Sequence, residues 1–168
     1  MWAGRRPGYG AGMGRETSLR RAAGRITGLF RRAASTVRRT PAPDVEYRPR
    51  ADGRPDPGEV VWAWVPYDEG DGRGKDRPVL VIGRRGASLL GLMLSSQDHD
   101  RDAADEARHG RVWTDLGTGA WDTRGRPSEV RLDRLLVLDP SGVRREGAAL
   151  DRTRFDQVVA EARRVQRW

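Results

Sequence analysis

Apolar residues fall in unbroken runs through the middle of this chain and at three- and four-residue intervals near its end. Residues 59–65 read as a strand carrying Val60, Val61, Trp62 and Val65. Residues 78–83 and 88–94 read as two more, separated by a tight turn at Arg84-Arg85-Gly86. The near-continuous apolar character of residues 79–82 and 89–94 predicts burial on both faces, as in a small barrel. Residues 67–76 hold Gly70, Gly72 and Gly74 and predict a flexible loop. Residues 98–110 are polar, a loop or short helix, and residues 111–116 predict a further strand. Residues 117–127 are loop, and residues 129–138 predict one last long strand, ended by the turn signal Asp139-Pro140-Ser141-Gly142. Asp151 is placed to cap a helix over residues 152–166, whose apolar stripe is Phe155, Val158, Val159, Ala162 and Val165. The fold class is therefore mainly β with one C-terminal helix.

The first third differs. Residues 1–16 are rich in glycine and arginine and predict disorder. Across residues 17–39, Leu19, Ala22, Ala23, Ile26, Phe30, Ala33 and Val37 recur at helical spacing with arginines between them. That pattern is either a fluctuating helix in a disordered tail or a surface helix for anionic lipid or nucleic acid. Gly24 and Gly28 weaken it by about 1 kcal/mol each. Residues 40–57 are proline-rich, which opposes both helix and ladder pairing, and read as a linker. The expected division is a basic tail and linker over residues 1–56 and a folded domain over residues 57–168.

Charge sharpens this division. Residues 1–56 hold 13 arginines and 5 acids, whereas residues 57–168 hold 19 basic and 19 acidic residues. The overall net charge of +8 thus belongs to the tail. A basic balance suggests nucleic acid or an anionic membrane, but for the folded part such a partner must be argued from local placement. Cysteine is absent, which excludes disulfides and thiolate metal sites. No apolar run approaches the ~20 residues of a membrane-spanning helix, and no signal peptide is visible. The expected location is the cytoplasm. The run Gly70-Asp71-Gly72-Arg73-Gly74 lacks the Gly-Lys-Ser/Thr ending and following helix of a nucleotide-binding loop, so it reads as a lid.

One ordered set of motifs is more specific. Gly58-Glu59-Val60-Val61-Trp62 is followed by the glycine-rich loop, then by Arg77-Pro78-Val79-Leu80-Val81-Ile82. The next strand ends in Ser95-Ser96-Gln97, and later come Val130-Arg131-Leu132-Asp133-Arg134-Leu135 and the terminal helix. In order and spacing this resembles the MazF/PemK family of bacterial toxins, over about residues 57–165. The resemblance implies a compact SH3-like barrel and a homodimer. It implies cleavage of single-stranded RNA without metal or cofactor, and restraint by a cognate antitoxin whose tail fills the RNA groove. It also implies DNA contact through the antitoxin complex. The family's essential arginine falls on Arg77 and its essential threonine on Ser95, which keeps the hydroxyl but loses the methyl that restricts χ1.

The residues suit that chemistry. Attack of an RNA 2′-OH on the adjacent phosphate needs no metal, and its transition state concentrates charge on the non-bridging oxygens. A guanidinium offers paired donors at their spacing and stays charged at any working pH. Arg77 is expected to stabilise that charge, and Ser95 to donate to a phosphate oxygen. The RNA-binding candidates are Trp62 and Tyr67 for base stacking, Arg73 and Lys75 for phosphates, and Ser96, Gln97 and His99 beside the strand end. Arg84 and Arg85 are further phosphate candidates.

Structural alternatives stand beside these readings. Arg77 could pair with Asp76 or Asp68, and the serines could bond local backbone. His99 and His109 read as exposed loop residues, with His99 close enough in sequence to approach the site. Trp113 and Trp121 read as barrel core or dimer contact. Two rival functions remain: a catalytically weak or inactive module of the same fold that binds nucleic acid or a partner protein, and a membrane-peripheral protein driven by the basic tail.

Overall fold

The computed structural model describes residues 42–99, 103–145 and 148–168. The amphipathic pattern at residues 17–39 and the glycine- and arginine-rich start lie outside the described residues. In chain order the elements are β1 (Asp44–Val45), β2 (Val60–Pro66), β3 (Gly74–Arg85), β4 (Ser88–Ser95), α1 (Ala103–Arg108), β5 (Trp113–Gly117), β6 (Ser128–Arg131), β7 (Leu136–Leu138), β8 (Val143–Arg145) and α2 (Arg152–Gln166). The strands form one curled antiparallel sheet in the order β5-β6-β4-β3-β2-β8, with β1 added beside β3 and β7 beside β4. Among the described residues no helix is long and apolar enough to cross a membrane.

Successive residues of the central strands leave on opposite faces, and both faces are covered. On one face Val60, Leu80, Ile82, Leu90, Leu92 and Leu94 pack against Phe155, Val158, Val159 and Ala162 of α2. On the other, Val61, Val65, Val79, Val81, Leu89 and Met93 pack with Leu136 and Leu138. Residues 79–82 are wholly inaccessible, so the two-sided burial expected from the apolar runs is present. The α2 stripe is as expected, and Asp151 caps the helix by accepting from the backbone N–H groups of Thr153 at 3.0 Å and Arg154 at 3.1 Å.

Three expectations need correction. Strand β3 begins at Gly74, earlier than expected, because its register with β2 runs back to Pro66 opposite Gly74. Lys75, Asp76 and Arg77 are therefore strand residues, and the loop shortens to residues 67–73. The single strand expected over residues 129–138 is two strands along one edge of β4. Val130 pairs with Leu94 and Leu136 with Gly91, and the slip between those registers is taken up by residues 132–135. Strand β8 was not foreseen.

The third correction concerns residues 42–56. Although proline-rich, they lie against the sheet. Asp44 pairs with Arg84 and Val45 with Gly83. The Tyr47 hydroxyl donates to the Leu150 carbonyl at 2.8 Å, and its ring meets Phe155 edge-on at 5.1 Å. Two glycines make room. A Cβ at Gly83 would lie 2.0 Å from the Asp44 carbonyl oxygen, and one at Gly58, whose φ is +100°, would lie 2.8 Å from the Tyr47 ring.

Candidate active site

Sheet register brings the strand ends together. Ala63 pairs with Arg77, Ser95 with Glu129, and Glu129 with Asp115. The last β3–β4 pair is Val79 with Met93; the same register carried two residues further sets Arg77 against Ser95, and both line one cleft. One row across the sheet thus reads Ala63, Arg77, Ser95, Glu129, Asp115. Opposed residues of antiparallel strands project from the same face.

Two clefts open beside this row. The larger, about 430 Å³, has Val65, Met93 and Trp113 among its apolar lining and Tyr67, Arg73, Arg77, Gln97 and His99 among its polar lining. The smaller, about 240 Å³, is lined by Trp62, Lys75, Arg77, Ser95, Ser96 and Gln97, and also by Asp122 and Arg126. The two catalytic and seven RNA-binding candidates therefore all line one cleft or the other, whereas Arg84 and Arg85 line neither. Arg77 and Gln97 line both and form the saddle between them. Ser95 is 5% exposed, and its Oγ accepts the backbone N–H of Gln97 at 3.1 Å. The local-backbone role foreseen as an alternative for this hydroxyl is thus present.

Around the larger cleft most charges are matched. Asp68, in the loop after β2, accepts Arg131 Nη1 at 2.7 Å and Arg134 Nη1 at 2.8 Å, with Arg111 Nε at 3.3 Å. Partial burial pushes the Asp68 carboxyl upward. The hydrogen bond from Arg131 and the charges of Arg131, Arg134 and Arg111 outweigh that, so it titrates below the usual carboxylate range. Arg131 also forks onto Asp133, with contacts of 2.8–3.1 Å. Arg73 is taken by Asp71, Nε to Oδ2 at 2.6 Å, and the Tyr67 N–H donates to the Arg73 carbonyl at 2.9 Å, closing the loop. Among the described residues Arg77 and Lys75 enter no ion pair or side-chain hydrogen bond. Asp68 is engaged by other arginines, so it does not serve as the partner considered for Arg77.

Several residues had other expectations. Arg84 lines neither cleft: it donates to the Pro55 carbonyl at 3.0 Å and pairs with Asp56 at 3.1 Å. Trp121 is core, 3% exposed, with its indole N–H on Ser128 Oγ at 3.1 Å. Trp113 packs against the second core cluster as a partly buried residue and also lines the larger cleft, stacked flat on His99 with ring centroids 3.8 Å apart. His109 is exposed as expected. His99 is not a loose loop histidine: its ring Nδ1 lies 2.5 Å from Glu129 Oε2. Glu129 and Arg131 were missed as site residues. Their signal was two charges alternating with Val130 and Leu132, a pattern that ordinarily marks a solvated strand face but here is 8% and 7% exposed. Among the described residues no group of three or more His, Asp or Glu side chains is placed to hold a metal ion.

Comparisons with known proteins give the family. No curated protein matches the chain. Solved structures similar in fold include an endoribonuclease in complex with its cognate antitoxin from a mycobacterial species, at 14% identity over 67% of this chain and 92% of that one, TM-score 0.41. The toxin MazF-mt6 of Mycobacterium tuberculosis matches at 15% identity over 64% and 94%, TM-score 0.41. The MazE–MazF structure from Deinococcus radiodurans matches at 21% identity over 67% and 91%, TM-score 0.41. The model for PemK-like, MazF-like toxins of type II toxin–antitoxin systems matches residues 56–165, which is 110 of 168 residues and takes in every motif and both clefts. The chain belongs to that toxin family.

Proposed function

We propose that this chain is the toxin of a toxin–antitoxin pair and acts as a metal-independent endoribonuclease on single-stranded RNA. The observation that carries the reading is Arg77: a guanidinium without a partner among the described residues, on the saddle between two clefts, opposite the Ser95 hydroxyl. The scissile phosphate would sit on that saddle. The Arg77 fork would hold its non-bridging oxygens as charge builds during 2′-OH attack. Ser95 Oγ already accepts from Gln97, which orients the hydroxyl and leaves its O–H to donate to the phosphate. Flanking nucleotides would run into the two clefts. There Tyr67 and Trp62 offer stacking faces worth about 1–3 kcal/mol per base, and Lys75 offers a charge that has no partner among the described residues. In this reading the antitoxin's tail competes for the same surface, the toxin is a cytoplasmic homodimer, and DNA contact comes through the antitoxin complex.

The test uses the full chain, a long single-stranded RNA and a chelator. Products should end in a 2′,3′-cyclic phosphate and a 5′-OH. Arg77→Ala should cleave at least about a hundredfold more slowly, the usual effect of losing one preorganised donor, with an unchanged melting temperature. Equal rates for the two proteins would remove Arg77 from the mechanism. The low exposure of Ser95 favours one rival, a module that binds RNA without cutting it. Retention of intact RNA by the wild-type protein would support that rival.

A further inference from the structure

The chemistry above leaves open which group takes the proton from the 2′-OH. One side chain in the larger cleft is held as such a group must be. The His99 ring is fixed on two sides. Its Nδ1 faces Glu129 Oε2 at 2.5 Å, and its plane lies within 5° of the Trp113 indole stacked on it. Both supports are themselves anchored. Glu129 sits in the β6 ladder opposite Ser95 and also accepts the His99 backbone N–H at 3.2 Å and 3.3 Å. The Trp113 indole N–H donates to Glu106 Oε2 of α1 at 2.8 Å. A carboxylate facing Nδ1 requires the ring proton there, so neutral His99 carries its free lone pair on Nε2. Among the described residues Nε2 has no hydrogen-bond partner, and His99 lines the same cleft as Arg77 and Gln97.

We propose that His99 is the general base of RNA cleavage, with Glu129 and Trp113 as positioning residues. The proposal rests on the nuclease reading above and names the group that completes it. Nε2 takes the proton of the attacking 2′-OH. The O2′–P bond forms and the P–O5′ bond breaks, with its electron pair staying on the 5′ oxygen, which takes a proton from water. The Glu129 carboxylate compensates the imidazolium through Nδ1–H, and the imidazolium returns its extra proton to solvent. Charge balance holds throughout, and no co-reactant is needed. A positioned base of this kind contributes about 10²–10⁴-fold.

His99→Asn separates base from latch. The asparagine amide nitrogen can replace Nδ1 as donor to Glu129, but nothing replaces Nε2. Cleavage of an RNA oligonucleotide and binding of its 2′-deoxy analogue, which cannot react, are measured for wild type and variant, with melting curves for both. The expected result is a loss of about a hundredfold or more in cleavage with binding and melting kept. Added imidazole is expected to restore part of the activity of His99→Ala, which also covers failure of the asparagine variant to fold. Glu129→Gln should lower kcat with KM held. If wild type cleaves and His99→Asn cleaves equally well, the base assignment is overturned while the nuclease reading stands. Equal losses of binding and cleavage in His99→Asn would also overturn it, making His99 a binding residue. If wild type leaves RNA intact, both readings fall together.

Discussion

Asp56 and Glu59, where residues 42–59 meet the sheet, and Asp68 and Glu129, at the larger cleft, are the same two residue types set among basic groups. At the corner both buried carboxylates are engaged. Asp56 and Glu59 are each 3% exposed. Glu59 accepts the backbone N–H groups of Arg50 and Asp56, both at 3.1 Å, and Asp56 pairs with Arg84 at 3.1 Å and Arg50 at 3.5 Å. At the clefts the acids engage Arg111, Arg131, Arg134 and His99, yet among the described residues Arg77 and Lys75 are left over. Buried carboxylates among arginines therefore do not by themselves mark an active site. What marks it is positive charge exceeding its local partners, in a place a phosphodiester can reach.

On strand β3, Arg77 and Arg84 exemplify the two kinds seven residues apart, and that pair gives the sharpest test. Arg77→Ala should cost cleavage about 10²–10³-fold, near 3–4 kcal/mol of barrier, and leave stability unchanged. Arg84→Ala should do the converse. It removes the main partner of a buried carboxylate, so unfolding free energy should fall by about 1–3 kcal/mol while cleavage per folded molecule is kept. Urea unfolding and a cleavage assay on both variants decide the matter. A cleavage defect in natively stable Arg84→Ala would erase the distinction between corner and cleft.

A smaller effect tests whether the corner is part of the folded unit. Tyr47→Phe removes only the hydroxyl bonded to the Leu150 carbonyl, and should lower stability by about 1 kcal/mol with no change in cleavage. No change in the urea midpoint would mean that residues 42–56 are the linker their prolines suggested.

What the sequence disclosed follows how local each signal is. The runs at residues 79–82 and 89–94, the Asp151 cap and the α2 stripe are encoded within a few residues, and all were legible. Arg77 and Ser95 were legible because each closes or opens such a run. The His99–Glu129–Trp113 assembly was not, because its members lie 30 and 14 residues from His99 and meet only through the β4–β6–β5 register. The proline-rich segment misled for a related reason. Its prolines do forbid a long ladder, and β1 is only two residues long, but Tyr47 holds the segment by a side chain that pairing rules ignore. Gly58 and Gly83 were the available hints that another segment passes close by.

The smallest expected effect lies at Asp68, where the cleft most resembles the corner. The sign follows from its lowered titration. A carboxyl held below its unfolded value of about 3.9 contributes stability that is fully present above that value and is lost as pH falls through the folded one. Asp68→Asn should therefore be less stable than wild type near pH 7. The gap should hold constant down to about pH 5 and close in stronger acid, measured as urea midpoints across that range. The side chain is 32% exposed, so solvent screening keeps the gap small. The same substitution releases Arg111, Arg131 and Arg134 from their shared anion and leaves the cleft with further unmatched positive charge. Affinity for a non-cleavable 2′-deoxy oligonucleotide, followed by fluorescence anisotropy at low salt, should rise and not fall. A weaker affinity would mean that Asp68 serves the site by holding its arginines in place, as Asp56 holds Arg84, and that the cleft owes its shape to closed charge as much as the corner does.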